Sequence, residues 1–233
     1  MRRVLPILFN TEMVRANLDG RKSCIRRLVK GFVPDDAIWG YTAFTPKGYI
    51  SCRGTFADGY GEKFFKLPYQ PGDILYVRET WHKGLERYMY RADYSDTEKF
   101  YQGGKEIEMK WHPSIRMPKE AARIWLKCTD VRVERLQEIT ESGAKAEGIR
   151  GYTKDGNLYK YAVTDDWWID YHNKHKEIVT GTWWQDMPRT AKDAFSYLWN
   201  STIKKSDLDL YGWNANPWVW TIEYERCEKL EGV

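Results

Sequence analysis

The stretch Pro71-Gly-Asp-Ile-Leu-Tyr-Val-Arg-Glu-Thr-Trp81 predicts a turn followed by a strand. Alternation gives this strand two largely apolar faces, one with Leu75, Val77, Glu79 and Trp81 and the other with Ile74, Tyr76, Arg78 and Thr80. A strand that is apolar on both faces is buried on both, so we expect it to be a central strand of its sheet.

Glu79 is the exception on its face, because its carboxyl group falls among apolar side chains. A carboxylate in such surroundings needs a partner or a raised pKa. Two interpretations follow: an ion pair with an arginine that lines the core, or a functional carboxylate. The sequence favours the ion pair.

Further strands and short helices are predicted on either side of this stretch. A strand from Ile124 to Val133 changes phase at Thr129-Asp130, which indicates a β-bulge. Pro217–Arg226 predicts a half-buried final strand. Helices are predicted after residues 10–11, over 140–148 with Thr140 as the N-cap, and from Ala191 to Asn200 with Thr190 as the N-cap. The fold class is therefore α+β, most simply a small β-barrel with flanking short helices.

We expect one domain over residues 1–233, with insertions at 82–120 and 151–189. The first insertion ends in Trp111-His-Pro-Ser-Ile-Arg-Met-Pro118, whose two prolines exclude a regular helix or a central strand. The second is predicted to contain a Trp-rich helix from Asp165 to Glu177. His172 and His175 in that helix lack a third ligand nearby, so we expect no metal site, and nothing indicates a cofactor.

Composition is that of a globular protein that is unusually rich in aromatic residues. The chain has 37 Lys and Arg against 33 Asp and Glu, a net charge of only +4, with 12 Trp, 16 Tyr and 8 Phe. The four cysteines have no paired spacing, which argues against a zinc ribbon or a disulfide scaffold. No signal peptide or membrane span is evident, so we expect a cytoplasmic protein that does not bind membranes.

The positive charge is concentrated in one place, Gly20-Arg-Lys-Ser-Cys-Ile-Arg-Arg27, directly after the first predicted helix. Arg21 and Lys22 are favourable near a helix C-terminus for structural reasons alone. Arg26 and Arg27 lie too far along the chain for that explanation. The stretch is either a solvated basic loop or an anion-binding surface, and phosphate is the anion that proteins most often meet.

Four motifs in order resemble the ASCH domain family, a branch of the PUA-like superfamily. Residues 20–27 resemble its G-x-K-T-x-T-x-R signature, 71–79 its turn and strand, 144–148 its A-x-x-E-G helix end, and 218–225 its closing strand. The longer segments 79–81, 111–118 and 211–218 are similar to large ASCH proteins of tailed phages and prophages. The resemblance covers nearly the whole chain.

This resemblance implies a PUA-like β-barrel and a nucleic-acid or nucleotide partner, in the cytoplasm of a bacterial host. One small bacterial branch of the family hydrolyses N4-acetylcytidine with a Lys, a Thr and a Glu, which fall here on Lys22, Ile25 and Glu147. Isoleucine cannot act as a nucleophile or donate a hydrogen bond, so this sequence departs from the enzyme branch. Ser23 replaces the first Thr of the signature and retains a hydroxyl. Some family members are described as ribonucleases.

Two functions from different classes therefore remain open, with a structural role in a virion as a weaker third. In a binding module for RNA, single-stranded nucleic acid or a modified nucleotide, cations would hold phosphate while aromatic and polar side chains hold the base. The residues expected to bind are Arg21, Lys22, Arg26, Arg27, Arg78, Glu79, Trp81, Trp111 and Arg116. In a hydrolase, Lys22 would act as a base, Glu147 or Glu79 would carry the proton, and Ser23 would orient water.

Overall fold

The computed structural model describes residues 3–95, 98–153, 155–163 and 186–229. The strands are β1 Val4–Leu8, β2 Cys24–Leu28, β3 Ile38–Gly40, β4 Tyr49–Phe56, β5 Gly59–Lys66, β6 Ile74–Arg78, β7 Trp81–Lys83, β8 Tyr88–Tyr90, β9 Phe100–Gln102, β10 Lys105–Ile107, β11 Trp125–Arg135, β12 Arg150–Thr153, β13 Tyr159–Ala162 and β14 Trp218–Cys227. The α-helices are α1 Thr11–Leu18, α2 Glu141–Ala146, α3 Ala191–Thr202 and α4 Leu208–Tyr211. The predicted α+β class is confirmed.

A five-stranded sheet in the order β1-β6-β11-β14-β2 forms the centre of the molecule. β1 and β6 are parallel, and the remaining neighbours are antiparallel. The prediction that β6 is a central strand is confirmed, because β1 and β11 pair with its two edges. The predicted β-bulge is also confirmed, since the register of β11 against β14 shifts between Cys128 and Asp130.

One face of this sheet shares a hydrophobic core with a smaller antiparallel sheet, β3-β4-β5. Ile50 of β4 and Leu67, which follows β5, belong to the same buried cluster as Leu75, Leu126 and Ile222. In the part of the chain described, no ladder of hydrogen bonds joins β1 to β2 or joins the two sheets to each other. The large sheet and the β3-β4-β5 sheet therefore pack around one core, and the described strands do not close into a barrel.

The opposite face of the large sheet is covered by helices α2 and α3, which make a second core. Val219 at the start of β14 belongs to this cluster together with Ala194 and Phe195 of α3. The prediction of a half-buried β14 is therefore wrong for its first half, where Val219 and Thr221 are as buried as Trp220. The alternation of apolar and polar residues along one strand does not show whether a helix packs on the more polar face of that strand.

The predicted N-caps are present: the side chains of Thr140 and Thr190 each accept a hydrogen bond from a backbone N–H three residues ahead. Within the predicted insertion ranges, β7-β8, β9-β10 and β12-β13 form separate two-stranded sheets. The predicted helix at 165–177, with its two histidines, lies outside the described residues. Over the described ranges, no helix is long and apolar enough to cross a bilayer.

Candidate functional site

The C-terminal ends of α1 and α2 lie beside each other, which places the basic stretch of residues 20–27 next to Glu147. α1 ends at Leu18 and α2 ends at Ala146, and the glycines two residues further on, Gly20 and Gly148, have a left-handed conformation with φ of 74° and 104°. A Cβ atom on Gly148 would lie 3.0 Å from the Cβ of Ala16, so the two helix ends approach as closely as glycine allows. An isolated β-bridge then joins Lys22 to Glu147.

Lys22 and Glu147 form a buried ion pair at this junction. The Nζ atom of Lys22 donates to Oε2 of Glu147 at 2.7 Å, to the carbonyl of Glu147 at 2.9 Å and to the carbonyl of Cys24 at 2.8 Å. The two side chains are only 1% and 4% exposed. All three N–H bonds of the ammonium therefore have acceptors within hydrogen-bond distance.

Arg26 extends the ion pair into a cluster of four charges. Its guanidinium donates to Oε1 of Glu147 at 3.2 Å and to Oε1 of Glu134 at 2.6 Å. Burial acts to raise the pKa of Glu134, but the charges of Arg26 and Arg132 and the hydrogen bonds to this carboxylate together outweigh it, and the pKa lies below its usual value. Arg132 binds the other carboxylate oxygen of Glu134 at 3.2 Å and also pairs with Asp130 and Glu223, so the ion-pair network continues from the buried cluster to more exposed groups.

A cleft of about 700 Å³ opens above this cluster. Its floor contains Lys22, Ile25, Arg26 and Glu147, and its walls come from β1, α1, α3 and the loop after His112. The remaining lining residues are Leu8, Phe9, Asn10, Glu12, Met13, Ala16, Arg27, Thr80, Pro113, Ser114, Gly148, Val163, Phe195, Leu198, Trp199, Ser201 and Thr202. The cleft combines a charged floor with aromatic and aliphatic walls.

Arg27 is the cation of this cleft with the most unused hydrogen-bonding capacity. Its side chain makes one hydrogen bond to the described residues, from Nη2 to the carbonyl of Leu8 at 3.1 Å. Its Nε atom is buried without a hydrogen-bond partner. A buried N–H group that lacks a partner is costly, so an anion or a water beside Arg27 would be stabilising.

Glu147 is better placed than Lys22 to accept a proton from a ligand. Lys22 has no lone pair while its ammonium donates three hydrogen bonds, whereas the carboxylate of Glu147 retains further lone pairs. The adjacent thiol is unreactive: burial, and next the charge of Glu147, raise the pKa of Cys24 to about 12. Cys24 is therefore a neutral thiol at neutral pH and a poor nucleophile.

Two predicted site residues of the basic stretch point away from the cleft. Arg21 donates to the carbonyl of Gly148 at 2.6 Å and pairs with Asp19, so it supports the helix ends. Ser23 is exposed and lines a separate polar cleft beside Thr140. The cleft above Lys22 therefore brings together only Lys22, Arg26, Arg27 and Glu147 from the residues predicted for either function.

The other predicted residues lie elsewhere in the structure. Glu79 is 1% exposed and forms the expected ion pair, with both carboxylate oxygens bound by Arg123 at 2.9 and 3.0 Å. Arg78 donates to the carbonyl of Met117 at 2.6 Å. The remaining three do not line the cleft: Trp81 packs on His112, Trp111 packs on Phe100, and Arg116 is exposed on the same loop.

The sequence did not indicate which aromatic side chains line the cleft. Phe9, Phe195 and Trp199 do so, in place of the tryptophans expected for that role. Phe195 and Trp199 are four residues apart and share a face of α3, which is visible in the sequence, but nothing there shows that this face lies over β2.

No family model, curated protein or solved structure matches the chain.

Proposed function

We propose that the protein binds single-stranded nucleic acid or a modified nucleotide in the cleft above Lys22. The observation that supports this proposal is that a single cleft contains both Arg27, which has unused N–H groups, and aromatic side chains in its walls. We further propose that the two sheets correspond to a PUA-like barrel of the ASCH type, as the motifs suggest, in a form that is open between the sheets. Their common hydrophobic core supports this.

The dimensions and chemistry of the cleft suit a ligand of this class. Ligand sites in proteins typically enclose about 300–1,000 Å³ and are largely apolar with a few placed polar groups. Here the wall offers aromatic rings for a base, and Arg27 offers a cation for a phosphate or another acidic group. Because Lys22 and Arg26 are already paired with carboxylates, we assign the ligand's charge to Arg27.

Binding of labelled single-stranded RNA and of free nucleotides, measured by fluorescence anisotropy over a salt series, tests this proposal. Arg27→Gln should weaken binding by about tenfold and make the slope of log K against log salt shallower by about 0.7. Arg53→Gln, on an exposed part of β4, is the control and should bind normally. Absence of binding, or binding that is independent of salt, would contradict the proposal.

Hydrolysis of a modified nucleoside or of RNA is the second candidate, and the buried carboxylate at the cleft floor favours it. In this case Glu147 would take a proton from the attacking water, and water oxygen would form the new bond to the acyl carbon or the phosphorus. The proton would then pass from Glu147 to the leaving amine or oxygen. Lys22 and Arg26 would hold the carboxylate of Glu147 in place.

A turnover screen of acylated cytidines and RNA, with product detection by mass spectrometry, tests the second candidate. Glu147→Gln should abolish turnover, whereas Glu120→Gln at an exposed position should not change it. Circular dichroism at the assay temperature would establish that the variant is folded. Turnover that persists in folded Glu147→Gln would exclude this assignment.

A further inference from the structure

A second cleft, which we name the seam cleft, lies between the two edge strands of the large sheet. It has a volume of about 530 Å³ and is lined by Leu5, Pro6, Arg27, Leu28, Val29, Lys30, Phe65, Lys66, Pro68, Tyr69 and Trp220. Its position follows from the topology, because β1 and β2 are the outer strands of the five-stranded order and no ladder joins their described residues.

Among the described residues, the lining of the seam cleft is cationic without a compensating acid. It includes Arg27, Lys30 and Lys66, and no carboxylate from the described ranges. Lys30 and Lys66 are exposed, and within the described ranges neither has an ion-pair partner. Elsewhere on the described surface, lysines such as Lys63 and Lys127 pair with acids. Three cations around an apolar floor form a surface that suits a polyanion with apolar portions.

The seam cleft adjoins the cleft above Lys22, because Arg27 lines both. We propose that the ligand is a single-stranded oligonucleotide that extends past Arg27 into the seam cleft, where Lys30 and Lys66 contact its phosphates. This inference rests on the proposed function and narrows it, since a free nucleotide would occupy only the first cleft. Arg27 then lies between two successive nucleotides, with groups available to both.

An acidic peptide that adds a strand to the sheet is the main alternative occupant, and the edge of β1 disfavours it. Pro6 has no N–H group to donate to a new strand. Its carbonyl already accepts a hydrogen bond from the hydroxyl of Tyr69 at 2.8 Å, and the carbonyl of Leu8 accepts one from Arg27. Strand addition depends on such backbone groups being free, so this edge offers few of them.

The test compares ligands of increasing length on the full chain. Affinities of a mononucleotide, a trinucleotide and a hexanucleotide of single-stranded RNA are measured by isothermal titration calorimetry at several salt concentrations. The double variant Lys30→Ala/Lys66→Ala is compared with Lys105→Ala, a single exposed lysine on the separate strand β10. Both variants alter exposed side chains, so we expect both to fold, and thermal melting establishes this.

We expect the hexanucleotide to bind at least tenfold more tightly than the mononucleotide. The double variant should make the salt slope for the hexanucleotide shallower by about 1.4, since each single-strand phosphate contact contributes about 0.7. Its affinity for the mononucleotide should not change, and Lys105→Ala should match wild type for both.

Equal affinity for all lengths, or a hexanucleotide slope unchanged by the double variant, would overturn the extended site while leaving the proposed function standing. Binding of no nucleotide at all would overturn both. Competition by polyglutamate as strong as that by the hexanucleotide would also overturn the extended site, because the seam cleft would then recognise charge alone.

Discussion

Replacing Glu147 by glutamine should cost the protein about 3 kcal/mol of its free energy of unfolding. Glu147 is the carboxylate that Lys22 and Arg26 share, and among the described residues it is the ion-pair partner of Lys22, so the variant leaves the buried ammonium without an anionic partner. Removing one partner of a buried ion pair typically costs about 3–5 kcal/mol. We expect the lower end, because Arg26 retains Glu134 at 2.6 Å and Lys22 retains two carbonyl acceptors.

Urea unfolding followed by tryptophan fluorescence measures this cost. With a typical slope of about 2–3 kcal/mol per molar urea, the midpoint should fall by about 1 M. The double variant Lys22→Met/Glu147→Gln should be more stable than Glu147→Gln alone, since it removes the unpaired ammonium. The reasoning is refuted if Glu147→Gln costs less than about 1 kcal/mol, or if the double variant is no more stable than the single one. Glu120→Gln, which is exposed, is the control.

Three further predictions concern backbone strain, thiol chemistry and pH. Gly148→Ala should destabilise the fold by about 1–3 kcal/mol in urea unfolding, because its φ of 104° is unfavourable for alanine and the new Cβ would press on Ala16. Ellman's reagent should modify only Cys227 quickly in native protein and all four cysteines in urea, since the others are buried; equal native reactivity would contradict this. Burial raises the pKa of Glu79 in the folded protein, and Arg123 opposes this effect only in part. Above about pH 4.3 the unfolded chain therefore releases the Glu79 proton more readily than the folded protein does. As pH rises, the free energy of unfolding of wild type should fall relative to that of Glu79→Gln. Unfolding free energies of both proteins from pH 4 to 7 measure it, and parallel curves would contradict it.

Features set by neighbouring residues along the chain were predictable from the sequence. Thr140 and Thr190 were identified as N-caps, because a cap bonds to the backbone three residues ahead. The bulge in β11 was visible as a change of phase at Thr129-Asp130. The ion pair of Glu79 was expected from its apolar neighbours, although its partner Arg123 was not identified.

Features set by distant residues were not predictable in the same way. Ser23 is adjacent to Lys22, yet it lines another cleft, because successive residues of an extended chain point to opposite sides. Trp81 and Trp111 pack against His112 and Phe100 and do not line the cleft. Phe195 and Trp199 line it instead, from a helix that lies more than 160 residues after β2 in the chain. Tertiary packing decides such positions, and one sequence contains no direct record of it.

The position of β2 in the sheet has a consequence for protein synthesis. β2 carries Arg26 and Arg27 and is made early, but its sheet neighbour among the described strands is β14, near the other end of the chain. During synthesis on the ribosome, β2 therefore lacks this partner strand until β14 has emerged. Closing such a long loop is slow, so ligand binding should be among the last properties that a nascent chain acquires. A chain released before Trp218 would carry the entire basic stretch and yet lack the strand that holds it in place.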